Sequence, residues 1–409
     1  MLIEHEKLDF SNVDKNGLKL SESEINEKYQ RGELRIITEQ GRYPLQNIKE
    51  ILSKNMKFDP EYQRRRVWND TQKSRLIESF IINIPVPPVF LYEIEFSKYE
   101  VMDGLQRLST LYDFYDNKFA LTGLEVWPEL NEKKYVDLPE KIQRGIDRRY
   151  ISTIVILNET AKDKIEEQTL KKYVFERLNT GGTKLTDQET RNALYDGKMN
   201  SLCIEIAKEN TIFHKLWNIK PFKNDDDDID PDEFEEINDS EGRDRKIYVR
   251  MEDVELVLRF FAYRQLESIS VGNVKDILDL YLKEANLHYQ DNTILQLKEL
   301  FNKTMSLTEA IFGDKAFLLY TKRKNEGFNW YRRPSKLVYD PLLSELSEFV
   351  NDTEKSLKLI KNKALIIGKM ESLFKENVTD FNGRNNNKSD VIRRKSLFKA
   401  LFQEVLGEV

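Results

Sequence analysis

One cysteine, three histidines and no long apolar run set the first bounds on this 409-residue chain. A lone Cys203 excludes an internal disulfide and a thiolate zinc cluster within one chain. Lying between Leu202 and Ile204, it reads as an inert core residue. His5, His214 and His288 stand far apart, without His-Asn or paired-His contexts. That shortage leaves nothing for a Ser-His-Asp triad, a zinc site or a nuclease whose general base is a histidine. His214, between Phe213 and Lys215, reads as an ordinary helix residue. No apolar stretch approaches the ~18–20 residues that a membrane helix needs, and the segment Met1 to Phe10 has no apolar signal-peptide core. The expectation is a cytoplasmic protein with no membrane contact.

Excess positive charge is also missing. The net charge is −6, which argues against a chain whose main business is coating nucleic acid. Local patches weigh more than the sum, because residues 225–241 hold eleven carboxylates in seventeen positions and leave the rest net basic. This acidic block reads as a solvated loop between helices. It lacks the glycine-punctuated spacing of a calcium loop.

What is present is core material and ordered periodicity. Eighteen tyrosines and twenty-two phenylalanines, in a chain 39% hydrophobic and 33% charged, describe a folded protein with an ionised surface. Residues 1–44 are polar and read as an arm or a short strand pair. A short helix is expected over 45–52. Asn69 and Gln72 frame a capping box before the apolar face of Leu76, Ile77, Phe80 and Ile81; Pro85, Pro87 and Pro88 end that helix. Strands are expected at 89–92, 99–102 and 151–157, the last β-branched and interior. A helix follows over 162–178, and Thr186 and Glu189 cap another. Beyond Tyr195, segments 199–218, 248–266, 272–309, 341–349, 353–376 and 389–407 carry helical periodicity. The reading is α+β: an arm (1–44), a mixed domain (45–198) and an all-α domain (199–409) with the acidic loop at 225–241.

The chemistry centres on Tyr99-Glu-Val-Met-Asp103-Gly104-Leu105-Gln106-Arg107-Leu-Ser109-Thr110-Leu. A strand, a glycine turn and an immediate helix bring free backbone N–H groups and a positive helix end to one point, which suits phosphate. Gly104 permits a positive φ and a close approach. Arg107 offers a forked donor in the first turn, while Ser109 and Thr110 add hydroxyls. Asp103 ends the strand where a carboxylate can hold a divalent cation that bridges phosphates. The same residues would also make an ordinary β-turn-α junction with a surface arginine. The run Arg64-Arg65-Arg66, flanked by Tyr62 and Trp68, suits a phosphate or nucleic-acid contact; equally, Tyr62 and Trp68 would serve as core anchors beside solvated arginines. Asn179-Thr180-Gly181-Gly182 is explained by a helix end and a turn. The later basic segments, Lys322-Arg323-Lys324, Arg332-Arg333 and Arg393-Arg394-Lys395, suit either DNA phosphates or solvated faces.

Four ordered motifs resemble the GmrSD-type restriction endonuclease N-terminal family. They are Tyr62-Gln63-Arg64 with Val67-Trp68; Arg75-Leu76-Ile77-Glu78-Ser79; Ile84-Pro-Val-Pro-Pro-Val-Phe-Leu leading to Asp103-Gly104-x-Gln106-Arg107; and Phe175-Glu176-Arg177-Leu178-Asn179-Thr180-Gly181-Gly182 with Glu189-Thr190-Arg191-Asn192. The resemblance implies a ParB/sulfiredoxin-like fold whose relatives bind nucleotides through the same strand-turn-helix loop. It also implies binding or hydrolysis of a nucleoside triphosphate, and defence against foreign or modified DNA; Mg²⁺ is the cation expected at Asp103. Carried over by position, the candidates are Asp103 and Arg107 for catalysis, with Asp103 as metal ligand. Gln63, Arg64, Gly104, Gln106, Arg107, Ser109, Arg177 and Asn179 are the candidates for nucleotide binding. Leu105 stands where the family signature, Asp-Gly-Gln-Gln-Arg, has glutamine, a change that bears on hydrolysis more than on binding. Full-length members carry a His-Asn-His nuclease, for which this chain has no histidines in place. The first expectation is therefore an NTP-binding and NTP-hydrolysing defence protein acting on or near DNA. The second is a non-catalytic nucleotide sensor regulating a partner nuclease, and the third a ParB-like DNA nickase. Homo-oligomerisation is compatible with each.

Overall fold

Residues 151–156, in the most β-branched run of the chain, take an interior place in a five-stranded mixed sheet. The computed structural model describes residues 2–10, 26, 36–57, 68–160, 164–178, 186–219, 247–322, 327–383 and 387–407. They divide into two compact units. One comprises Asn16–Leu194 with Phe222–Arg250, the other Met1–Lys15, Tyr195–Pro221 and Met251–Val409.

The first unit is built on β1 (Thr38–Pro44), β2 (Met56–Lys57), β3 (Val89–Glu95), β4 (Lys98–Asp103) and β5 (Tyr150–Ile156), in the order β1-β5-β3-β4-β2. β1 runs antiparallel to β5, β5 parallel to β3, β3 antiparallel to β4, and β4 parallel to β2. Its helices are α1 (Ile48–Asn55), α2 (Asp70–Ile82), α3 (Leu105–Tyr115), α4 (Glu140–Asp147), α5 (Lys164–Leu178) and α6 (Asp187–Leu194). Alternation along the strands sends Val89, Leu91, Val101, Ile151 and Val155 into one core with Ile48, Ile77, Leu108 and Phe114. Tyr92 and Glu100, paired across β3 and β4, meet Lys171 of α5. The Lys171 ammonium lies 2.8 Å from Glu100, 2.9 Å from Glu167 and 4.3 Å from the Tyr92 ring centre. Burial alone depresses this ammonium, and the two carboxylates more than reverse the effect, holding it above the usual lysine range.

The caps read from sequence are present. Asn69 Oδ1 accepts the Gln72 amide at 2.8 Å, and Gln72 Oε1 accepts the Asn69 amide at 3.2 Å. Thr186 and Glu189 do the same at 3.1 and 2.6 Å.

The second unit is mainly helical: α7 (Lys198–Glu209), α8 (Thr211–Trp217), α9 (Glu252–Arg264), α10 (Val274–His288), α11 (Asp291–Phe312), α12 (Lys336–Leu346), α13 (Thr353–Lys361), α14 (Lys363–Glu376) and α15 (Lys388–Leu406). Its core is aromatic, with Phe213, Phe260, Phe261, Phe301 and Tyr339 in edge or tilted contact. Cys203 is buried, which pushes its thiol well above the ordinary range. The expectation of an all-α second half needs correction. β6 (Leu318–Lys322) and β7 (Phe328–Pro334) form an antiparallel hairpin, held by stacking of Tyr320 on Phe328 and contact of Tyr320 with Trp330. Within 1–44 the described residues fall in both units. Thr38–Pro44 is an edge strand of the sheet, while buried Glu6 meets Arg264 at 2.6 and 2.8 Å in the helical unit. The acidic block 225–241 lies outside the described residues. Among those residues, no helix is long and apolar enough to cross a membrane.

Candidate functional site

The junction of β4 and α3 sits where the sheet gives way to a turn of one residue. Gly104 adopts φ +94° and ψ 14°, a left-handed conformation that disfavours any side chain, and starts α3 without a side-chain cap. The first amides of α3 and the positive end of its dipole thus lie at the carboxyl end of β4.

Arg107 turns back over this glycine. Its Nη2 donates to Asp103 Oδ2 at 2.7 Å and to the Pro88 carbonyl at 3.3 Å. A Cβ on Gly104 would stand 2.8 Å from that nitrogen and 2.8 Å from Val89 Cγ2. Glycine therefore provides both the backbone angle and the room for the guanidinium. The Arg107 side chain is 15% exposed and that of Asp103 39%. The Nε of Arg107 is buried and, among the described residues, has no hydrogen-bond partner. Such a donor is costly to leave unsatisfied, and it lies beside the turn. Pro88 and Val89 were not singled out as site residues by the sequence reading. Their signal was the proline run ahead of β3, which reads as a helix stop and which here also presents a carbonyl to Arg107.

Gln106 and Ser109 lie in the first turns of α3, both half-buried. The Ser109 hydroxyl donates to the Gln106 carbonyl at 3.1 Å, so its proton serves the helix in this state. Thr110 is buried. Leu105 is buried in the core beneath the turn, so the departure from the family signature falls on a packed position. Arg177 is exposed in the last turn of α5. Gln63, Arg64 and Asn179, with the rest of the Arg64-Arg65-Arg66 run and Gly181-Gly182, lie outside the described residues. The structure thus brings together Asp103, Gly104 and Arg107, flanked by Gln106 and Ser109.

Chemically, this arrangement is a cationic fork beside a glycine turn and a helix N-terminus, with one carboxylate in hand. It can receive an anion through Arg107 and the α3 amides. Among the described residues, no group of three or more His, Cys, Asp or Glu could hold a metal ion. A divalent cation here fits only the mode in which one carboxylate and the ligand's own phosphates share it. Elsewhere in this unit, Glu78 of α2 accepts the amides of Val126 and Trp127 at 2.8 and 3.0 Å. That contact anchors a loop and accounts for the glutamate in the second motif.

Residues 48–195 match the family model described as GmrSD restriction endonuclease, N-terminal domain, so the resemblance carried by the four motifs is shown for this stretch. The match ends one residue past the first unit's Leu194 boundary. Searches of curated proteins and of solved structures found no match.

Proposed function

We propose that the first unit binds a nucleoside triphosphate at the Gly104 turn and that the chain uses this ligand in a restriction-type defence reaction on DNA. The observation that carries the reading is Arg107 folded over a left-handed Gly104, with a buried Nε unsatisfied among the described residues, inside a stretch that matches a restriction-endonuclease domain. Arg107 and the α3 amides hold the phosphates. Asp103, 39% exposed, would hold Mg²⁺, which would supply charge neutralisation on the phosphates. Gln63, Arg64, Gln106, Ser109, Arg177 and Asn179 complete the binding set. We also infer that the unit is of the ParB/sulfiredoxin-like type. Catalysis in this scheme is electrostatic: Arg107 is positioned before the reaction and stabilises charge on the transferring phosphoryl group.

One observation favours a second reading, in which the unit senses a nucleotide without hydrolysing it and regulates a partner nuclease. Both candidate catalytic groups, Asp103 and Arg107, are committed to each other at 2.7 Å.

A thermal-shift series with ATP, GTP, CTP and UTP, each with and without Mg²⁺, tests binding. A ligand at ~100 times its dissociation constant stabilises by about 2.7 kcal/mol. No shift with any nucleotide at millimolar concentration overturns both readings. Phosphate release under the binding conditions then separates hydrolysis from sensing.

A further inference from the structure

The β6–β7 hairpin of the helical unit is seated by its aromatic residues and carries cations on both strands. The Trp330 indole N–H donates to Glu371 of α14 at 3.1 Å, and its ring meets Phe374 edge-on at 6.3 Å. Tyr320 lies 5.9 Å from Phe328 and 5.3 Å from Trp330. The Ser335 amide donates to the Phe317 carbonyl at 2.9 Å and closes the base. These contacts seat the ribbon against α14. Lys322 and Arg332 are exposed, and Arg333 is half-buried. Among the described residues, none of the three pairs with a carboxylate. Other lysines of the same unit are paired: Lys298 with Glu205 at 2.7 Å and Lys215 with Glu309 at 2.7 Å. Residues 321–334 hold five basic residues and one acidic, in a chain of net charge −6.

We propose that this ribbon is a contact for the phosphate backbone of duplex DNA, with Lys322, Arg332 and Arg333 each meeting a phosphate. The inference deepens the proposed action on DNA and is independent of the nucleotide site. A two-stranded ribbon fits the major groove of B-form DNA. Unpaired guanidinium forks match phosphate oxygens and release counterions on contact. A membrane surface would require several exposed apolar anchors, whereas Phe328 and Trp330 pack in the aromatic cluster beside α14 and Tyr331, 42% exposed, is the one exposed ring among the described residues of the ribbon.

The test uses the full chain and a fluorescein-labelled duplex of about 30 base pairs, nearly three helical turns of about 10–10.5 base pairs each. Binding is followed by anisotropy over a range of salt. R332Q/R333Q should weaken binding roughly tenfold or more and reduce the slope of log affinity against log salt by about 2. K322Q, on the other strand, should reduce the slope by about 1, which keeps the test open if the double variant fails to fold. Nucleotide-induced thermal shifts should be the same in all variants. Duplex binding with unchanged affinity and slope in the variants overturns the ribbon while sparing the DNA reading. A parent chain that binds no duplex even at low salt overturns both. A parent that prefers single-stranded RNA or an acidic peptide, with that preference lost in the variants, also overturns the proposal.

Discussion

Arg107 and Asp103 form an i, i+4 ion pair of 2.7 Å that spans the end of a strand, a glycine turn and the first turn of a helix. The pair closes over Gly104, and its cation also takes the Pro88 carbonyl. Arg107 therefore has two kinds of work: holding the turn together, and presenting a fork to an anion. A partly exposed ion pair of this kind contributes little to stability, about 0–1 kcal/mol, whereas a charge-assisted contact to a phosphate is worth roughly 1.5–3 kcal/mol. The two roles separate by magnitude.

Arg107→Ala should lower the melting temperature slightly and nucleotide affinity by about 10–150-fold. Arg107→Lys should recover part of the affinity, because a point charge cannot make the forked contact. Melting and nucleotide titration on the same samples decide it. A clear loss of stability with unchanged affinity would assign Arg107 to the turn alone.

Asp103→Asn tests the carboxylate separately. It removes the charge that Arg107 now faces while keeping a side chain of similar shape. If Asp103 serves the metal, Mg²⁺ should no longer strengthen nucleotide binding in this variant, while metal-free binding should hold or improve as Arg107 is released. Equal Mg²⁺ dependence in parent and variant would remove Asp103 from the metal site.

Gly104→Ala should be the most damaging single change at the junction. Its φ of +94° is strained for any residue with a Cβ, and that Cβ would stand 2.8 Å from both Arg107 Nη2 and Val89 Cγ2. Left-handed strain costs about 1–3 kcal/mol, and the displaced guanidinium should cost affinity as well. Adding Arg107→Ala should restore little stability, since the backbone term and the Val89 contact remain. Full recovery in the double variant would show that only the arginine clash mattered. Denaturant titration of both variants measures the difference.

Much of this was legible in the sequence because local chemistry and tertiary structure agree. Asn69 with Gln72, and Thr186 with Glu189, announce helices by side chains that satisfy backbone amides three residues away. The Asp103-Gly104 break was readable because glycine takes a left-handed turn between strand and helix at the least steric cost. The hairpin at Leu318–Pro334 was not, because its alternation is short and its stability comes from rings packed on residues such as Phe374, distant in sequence. Leu105 stands where the family signature has glutamine and is buried in the core with Leu108 and Leu111 of the same helix; a motif alignment carries no information on which way a side chain points. The Asp103–Arg107 pairing was equally hidden, since each residue by its own chemistry suits a role toward phosphate. A spacing of four across a turn gives that pair only when the strand end and the helix start are as close as Gly104 permits.

The helical unit should carry a pH dependence that traces to Glu345. This carboxyl, 7% exposed in α12, is pushed up from an ordinary 4.5 to about 7, first by burial. Lys395 at 3.8 Å and Lys399 oppose the rise, and Glu348 adds to it. A carboxyl with a folded pKa above its unfolded one binds its proton more tightly in the native state. Its favourable contribution is therefore complete below about pH 4.5 and is lost as pH rises through about 7. The full loss is on the order of 3 kcal/mol at 1.36 kcal/mol per pKa unit. Denaturant unfolding of the parent should show stability falling between pH 5 and 8. Glu345→Gln keeps the neutral form at every pH, so its profile over the same interval should be flatter and should cross above the parent at the alkaline end. Parallel profiles for the two proteins would mean that the Lys395 ammonium compensates the buried charge fully, and that Glu345 is ionised throughout.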